Sequence, residues 1–219
     1  MHKQFCFLLS FFVVAAGVST AQAVVIGNWE SGENAWEIAP GAPDGTAMEI
    51  VSTGATLGDN ALKVDVPTGG WQKAIRFNVI AGDVVDEFMA NDTFSVDVTR
   101  LPEDWLGDPA DGHSGLHFVV NAGGDGWPGG NVWHQSGYEG WWKYDQGAKT
   151  QTVEFNYAEG RDKVQPDALG WLELWLITNY DGGYSDGGVH YFDNVQLTPE
   201  PATIALLGLG GLALIRRRK

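Results

Sequence analysis

The chain has 219 residues, with 28 Asp and Glu against 13 Lys and Arg, which gives a formal net charge of −15 at pH 7. Nucleic acids and anionic membrane surfaces bind cationic proteins, so this balance excludes both as principal partners. Cys6 is the only cysteine, which excludes an intramolecular disulfide. The 30 glycines and ten tryptophans indicate many tight turns and large flat aromatic surfaces.

The first 23 residues have the three parts of a secretory leader. Lys3 lies in a short polar start, residues 5–18 are almost continuously apolar, and Ala21-Gln22-Ala23 matches an A-x-A cleavage site. We therefore predict a signal peptide at 1–23, cut after Ala23, so that the exported chain contains no thiol.

Residues 24–198 are predicted to form one all-β domain. A chain of this length buries roughly 70% of its unfolded surface in a single core. Apolar and polar residues alternate in short runs separated by Gly, Asp, Asn and Pro, a pattern typical of a β-sandwich. One helix is expected at 83–90, with Asp83 as its N-cap. The clearest predicted strands are 61–66, 71–79, 93–100, 115–121, 150–157, 172–179 and 189–197.

Strand parity predicts which polar side chains point away from the core. In 172–179 the leucines share one face, so Glu173 and Trp175 share the other. The same argument applied to three other strands sends further polar residues outward. If these strands lie in one sheet, the outward set forms a polar face with an aromatic plate, whereas an ordinary solvated strand face is the alternative. The outward candidates are Arg76, Asp97, His117, Glu173 and Trp175.

A segment rich in Gly and Trp, 105–142, interrupts the strand pattern. Within it the glycines of 125–133 and 140–142 predict loops, so the indoles either pack as lids over the edge of the sandwich or are presented to a ligand. In the second case they rim the polar face and stack on ligand rings, as aromatic anchors do at other interfaces. The indoles concerned are Trp127, Trp133, Trp141 and Trp142.

The C-terminal segment, 199–219, has three consecutive parts. Pro199-Glu200-Pro201 is followed by an uncharged run of fourteen residues, 202–215, and by a basic cluster, 216–219. Terminal cations favour the cytoplasmic side of a membrane, although the run is shorter than the 18 to 20 residues or so of a stable spanning helix and would also suit a buried core helix.

This segment resembles the PEP-CTERM sorting signal of exported bacterial proteins. The resemblance implies a C-terminal apolar helix that anchors the protein transiently in the inner membrane. It also implies recognition by an exosortase-type membrane protease, which cuts near Pro199, Glu200 and Pro201. The domain would then reach the cell surface or the medium.

Both ends of the predicted domain resemble carbohydrate-binding modules with a galactose-binding-like jelly roll. Gly27-Asn28-Trp29-Glu30-Ser31-Gly32 with Trp36 is similar to their opening motif, and 58–64 to the strand that follows. Residues 191–197 are similar to their closing strand. The resemblance implies a jelly-roll sandwich of two antiparallel sheets with one short helix.

The same resemblance implies a structural Ca²⁺ that joins the first and last strands. Glu30 and Asp193 would be its side-chain ligands, and backbone carbonyls would complete a set of six to eight oxygens or so. A change of apolar parity in the last strand also predicts a β-bulge at Asp193-Asn194. The alternative is that both carboxylates cap turns.

Three functions fit these features. The first is a non-catalytic carbohydrate-binding module on an exported protein, which binds a polysaccharide or another extracellular glycan. The second is a glycosidase or polysaccharide lyase, in which Asp97 and Glu173 form a carboxylate pair or Arg76 and His117 assist proton abstraction. The third is a structural or adhesive envelope protein whose polar face has no small ligand.

Overall fold

A computed structural model describes residues 22–32, 35–67, 72–104, 113–127, 130–137, 139–143, 147–178 and 188–199. Its strands form two six-stranded antiparallel sheets. The predicted all-β sandwich is confirmed. Residues 1–21 of the predicted leader and 200–219 of the predicted sorting segment lie outside the described residues.

The first sheet is built around the last strand. Its elements are β1 (Val24–Gly27), β3 (Ala47–Val51), β4 (Ala61–Val66), β6 (Thr93–Arg100), β10 (Lys149–Asn156) and β12 (Gly188–Thr198). The order is β10-β6-β12-β4-β3, and β1 also pairs with β12. Strand β12 therefore has β6 along one side and shares its other side between β4 and β1.

The second sheet is built around β11. Its elements are β2 (Trp36–Ile38), β5 (Gln72–Asn78), β7 (His113–Gly123), β8 (Val132–Gln135), β9 (Glu139–Lys143) and β11 (Trp171–Thr178). The order is β2-β5-β11-β7-β8, and β9 also pairs with β7. Both β8 and β9 lie in the segment that was expected to form loops, so that expectation is wrong. Pairing with the long strand β7 provides the hydrogen bonds of both strands, even though β9 contains Gly140.

Among the described residues, two short α-helices connect the strands, one more than predicted. The first, α1 (Val85–Ala90), lies within the predicted helix, but its N-cap position is held by Val84 without a side-chain hydrogen bond. Asp83 has a positive φ of 55°, so its prediction as the cap is wrong. The second, α2 (Ala158–Arg161), is a single turn that is too short to leave a periodic pattern in the sequence.

Aromatic residues from both sheets meet in the core. Phe118 of β7 stacks on Phe94 of β6 at 4.3 Å between ring centroids and on Phe155 of β10 at 5.7 Å. All three rings are at most 1% exposed. Burial of such a side chain contributes roughly 1.5 to 3 kcal/mol, so these contacts hold the two sheets together.

The last strand contains the predicted bulge. The register between β12 and β6 shifts between Asp193 and Gln196, and Asn194 adopts a positive φ of 50°. An extra residue in one strand re-aims the neighbouring side chains. Asp193 is thereby completely buried.

A buried cation and imidazole lie side by side in the first sheet. Arg100 Nη1 donates to His190 Nε2 at 3.2 Å, and the two residues are 1% and 0% exposed. His190 also stacks on Phe192. Burial, and then the positive charge of Arg100, lower the pKa of His190 well below its usual value.

We expect the free energy of unfolding to fall as the pH drops below about 6.5, the usual histidine pKa. The unfolded chain binds a proton there, whereas the folded chain keeps His190 neutral. His190→Gln should flatten this pH dependence, because glutamine does not titrate. Urea denaturation of both proteins at a series of pH values measures the difference, and identical slopes would contradict the assignment.

Candidate functional site

The outer face of the second sheet brings several predicted residues together. Pairing across β2, β5, β11, β7 and β8 aligns one row of residues, and the adjacent row runs from β5 to β8. We call this surface the outer face. The first row is Glu37, Arg76, Trp175, Val119 and Gln135. The second row is Asn78, Glu173, Asn121 and Trp133.

Arg76 lies between two carboxylates on this face. Its Nε and Nη2 atoms contact Glu37 Oε1 at 2.9 and 2.8 Å, and its Nη1 donates to Glu173 Oε1 at 2.5 Å. The Arg76 side chain is 20% exposed, against 49% for Glu37 and 10% for Glu173. The guanidinium is thus fixed in orientation, with the more exposed carboxylate on its solvent side.

Glu173 is engaged through both oxygens. Its Oε2 accepts from Trp175 Nε1 at 2.8 Å and from Asn121 Nδ2 at 3.0 Å, while Oε1 binds Arg76. A buried carboxylate is costly unless it is paired and hydrogen-bonded. Glu173 therefore orients the arginine, the amide and the indole around it.

The exposed indole of this face is Trp133. Trp133 is 46% exposed, and its ring meets Trp175 edge-on at 5.5 Å and 71°. Trp175 itself is only 4% exposed, so the expectation that it forms an open aromatic plate is wrong. The indole lies on the predicted side of β11 but belongs to a small apolar cluster with Ala39, Val119 and Ile177.

His117 shares this side of the sheet by parity. It pairs with Ile177 of β11 and is 6% exposed. Its Nδ1 lies 3.0 Å from the carbonyl oxygen of Ser136, which follows β8. The imidazole is therefore tied to the sheet edge.

Asp97 belongs to the other sheet, so its predicted place on the same face is wrong. It lies on β6, where it accepts from Thr152 Oγ1 at 2.6 Å, Thr56 Oγ1 at 2.7 Å and Asn194 Nδ2 at 3.1 Å. Strand parity shows that a side chain points outward but not to which sheet its strand belongs. The predicted carboxylate pair of Asp97 and Glu173 is therefore also wrong.

The remaining predicted tryptophans of the segment are Trp127, Trp141 and Trp142. Trp127 is 7% exposed and part of the main core, and its Nε1 donates to the carbonyl oxygen of Ala168 at 2.8 Å. It therefore packs as a lid. Trp141 and Trp142 lie on β9, but their side chains are outside the described part of the chain.

Glu37 is a residue of the face that sequence reasoning missed. It is held opposite Arg76 by the three-residue strand β2. The alternation Trp36-Glu37-Ile38 is its only signal, and three residues are too few to predict a strand.

Glu30 and Asp193 both hold the turn that precedes β4. Glu30 Oε1 accepts from the backbone N–H groups of Asp59 and Asn60, each at 2.8 Å. Asp193 Oδ2 accepts from the N–H groups of Thr56 at 2.5 Å and Leu57 at 2.6 Å. Both carboxylates therefore cap this turn, which was the predicted alternative to a metal site.

The same contacts bear on the expected calcium ion. The oxygens that would coordinate it already accept N–H donors, so a cation would have to share or replace those hydrogen bonds. Within the described ranges, no group of three or more His, Cys, Asp or Glu residues is positioned to hold a metal. Backbone carbonyls would have to supply most of the coordination.

The predicted processing sites lie at the ends of the described domain. Ala23 is exposed and directly precedes β1, and Pro199 directly follows β12. Glu200 and Pro201 lie outside the described residues. Among the residues that the structure describes, no helix is long and apolar enough to cross a membrane.

Comparison with known proteins identifies the C-terminal segment and the fold. Residues 197–219 match the PEP-CTERM protein-sorting motif, which implies export and transit through a membrane-anchored state. No curated protein matches the sequence.

Three solved structures similar to this chain are carbohydrate-binding modules. One is the C-terminal family 22 module of Clostridium thermocellum Xyn10B, at 11% identity and a TM-score of 0.51, covering 80% of this chain and 91% of that one. Another is a family 28 module described as specific for non-crystalline cellulose, at 17% identity and a TM-score of 0.54, covering 82% and 97%. The third is Caldicellulosiruptor saccharolyticus CBM27-1 in complex with mannohexaose, at 18% identity and a TM-score of 0.51, covering 84% and 100%. The chain thus carries a PEP-CTERM sorting motif, and its β-sandwich has the fold of carbohydrate-binding modules.

Proposed function

We propose that this protein is an exported, non-catalytic glycan-binding protein whose site is the outer face of the second sheet. The observation that carries the proposal is the exposed ring of Trp133, which meets Trp175 edge-on. Asn121 lies directly opposite Trp133, and the fixed guanidinium of Arg76 lies opposite Trp175. An exposed indole offers a flat apolar surface to a sugar ring, and convergent polar groups beside it would bind hydroxyls.

The similar structures support polysaccharide as the ligand class. Two of them are described as a cellulose-specific module and as a module bound to mannohexaose. At such low sequence identity the similarity extends to the fold alone. The glycan that this chain binds must therefore be identified by experiment. The chemistry of the face supports the same class, because it combines an aromatic ring with fixed donors and acceptors.

The glycosidase alternative has lost the carboxylate pair on which it depended. Asp97 and Glu173 lie on different sheets, and both oxygens of Glu173 are engaged by neighbouring side chains. Retaining and inverting glycosidases need two carboxyl groups on either side of one glycosidic bond. Release of product from a polysaccharide would nevertheless restore this alternative.

Replacing Trp133 with Ala should abolish retention on immobilised polysaccharides. Loss of a central aromatic anchor costs about 2 kcal/mol or more, which is roughly thirtyfold in Kd. Affinity electrophoresis against a panel of neutral and acidic polysaccharides, followed by calorimetry on the best ligand, measures the loss. Because Trp133 is partly exposed, the melting temperature should change little.

Ile80→Ala is the matched control for this variant. Ile80 is 42% exposed and follows β5, outside the two rows that define the face. The Ile80→Ala variant should bind glycan like the parent protein. If the Trp133 variant also binds like the parent, or if the parent retains no glycan, the structural or adhesive alternative is the better one.

We further propose that calcium binds at Glu30 and Asp193, where it would stabilise the turn before β4 and so link β1 to β12. A ligand at a hundred times its Kd stabilises a fold by about 2.7 kcal/mol. Calcium should therefore raise the melting temperature of the parent and leave that of Asp193→Asn unchanged. A parent melting temperature that is the same in calcium and in chelator would leave turn capping as the whole role of both carboxylates.

Export should remove both terminal segments. We propose cleavage after Ala23 by signal peptidase and near Pro199-Glu200-Pro201 by an exosortase-type protease, with the domain then at the cell surface or in the medium. Intact-mass analysis of the exported protein should show Val24 as the first residue and no trace of the basic cluster 216–219. Released protein that still ends at Lys219 would contradict this route.

A further inference from the structure

Ala23 and Pro199, which border the two predicted cleavage sites, lie at one corner of the sandwich. Strands β1 and β12 are antiparallel, with Val24 opposite Leu197 and Val25 opposite Gln196. Directly opposed Cα atoms in such a pair lie about 4.5 to 5.5 Å apart. The chain therefore enters β1 from Ala23 and leaves β12 at Pro199 through neighbouring positions.

No spacer separates the domain from the sorting motif. Thr198 is the last residue of β12, and Pro199-Glu200-Pro201 follows at once in the sequence. Three extended residues reach at most about 10 Å. A protease that cuts near this motif must therefore approach the end of β12 itself.

The end of β12 is held on both sides. Leu197 pairs with Val24 on one side and with Phe94 of β6 on the other, and its side chain is completely buried. Thr198 pairs with Thr93, and its carbonyl oxygen accepts from the Asp92 N–H at 3.3 Å. The residues that precede the motif are therefore part of the folded sheet.

Proteolysis of folded proteins acts on segments that open transiently, and its rate follows the population of the open form when opening is fast. Strand ends are among the parts of a fold that open at the lowest cost. We propose that the corner formed by Val24, Thr93 and Thr198 is the surface that meets the membrane-embedded sorting protease, and that the end of β12 must detach from β1 and β6 before the cut. This inference rests on the proposed processing. It adds that the C-terminal cut takes place at this corner, and only after the end of β12 has detached.

Two opposite variants of the full chain test the inference in cells that export it. The first inserts a flexible Gly-Ser linker of about six residues between Thr198 and Pro199, which moves the motif away from the sheet. The second, Val25→Cys with Gln196→Cys, staples β1 to β12, since directly opposed Cα atoms lie within the span of a disulfide. The exported chain has no other cysteine once the leader with Cys6 is removed.

Pulse-chase labelling with mass analysis measures how fast the C-terminal segment is lost. The linker should speed the loss, and the staple should slow it, each on the order of tenfold. A reductant that opens the disulfide, or the linker added to the stapled chain, should restore fast loss. The controls are the two single cysteine variants and the same linker inserted after Gly41, where the surroundings are open; all three should behave like the parent.

The outcomes separate this inference from the proposals on which it rests. An unchanged rate in the linker variant or in the stapled variant would overturn it, even if the parent is cut normally. A parent that keeps its basic end would overturn the processing route and this inference together. Glycan retention by the domain is measured independently and is unaffected by either result.

Discussion

The fold depends on a buried carboxylate placed by a bulge. Asp193 is completely enclosed, and its oxygens accept from the N–H groups of Thr56, Leu57 and Asn194 and from the Thr56 hydroxyl. An enclosed charge is tolerated only when several donors converge on it. The bulge turns the carboxylate toward the turn before β4, and it marks the point at which β12 passes from pairing with β4 to pairing with β1.

A second carboxylate with several converging donors, Glu173, fixes side chains on the outer face of the second sheet. Glu173 draws donors from β5, β7 and β11, so three adjacent strands present their side chains in fixed positions. Trp175 is covered as part of this arrangement and supports Trp133. If this face binds a glycan as proposed, its rigid side chains would lose little conformational freedom on binding, which lowers the cost of association.

Local patterns in the sequence predicted the elements that carry their own signal. The seven long strands have apolar alternation over six residues or more, and the bulge at Asp193-Asn194 appears as a change of parity in the last of them. Strands β2, β8 and β9 have three to five residues, and pairing with longer neighbours rather than their own composition decides their structure. Glu37 was missed for this reason.

Predictions about the site failed where they needed information on how strands are assembled. Parity correctly placed Arg76, Glu173 and Trp175 on one side of their strands, yet it could not show that Asp97 belongs to the other sheet. It also could not show that Trp133 would lie beside Trp175 and leave it 4% exposed. Exposure depends on the neighbours that long-range pairing brings, and these are absent from a local pattern.

The central place of β12 in the first sheet determines when the domain can fold. The strand synthesised last pairs with β1, β4 and β6, so the first sheet stays incomplete until the end of the domain is available. Contacts between distant parts of a chain form slowly, because the loop between them must close first. If the chain is exported as its sorting motif implies, the first sheet would be completed only after Gly188–Thr198 has crossed the membrane.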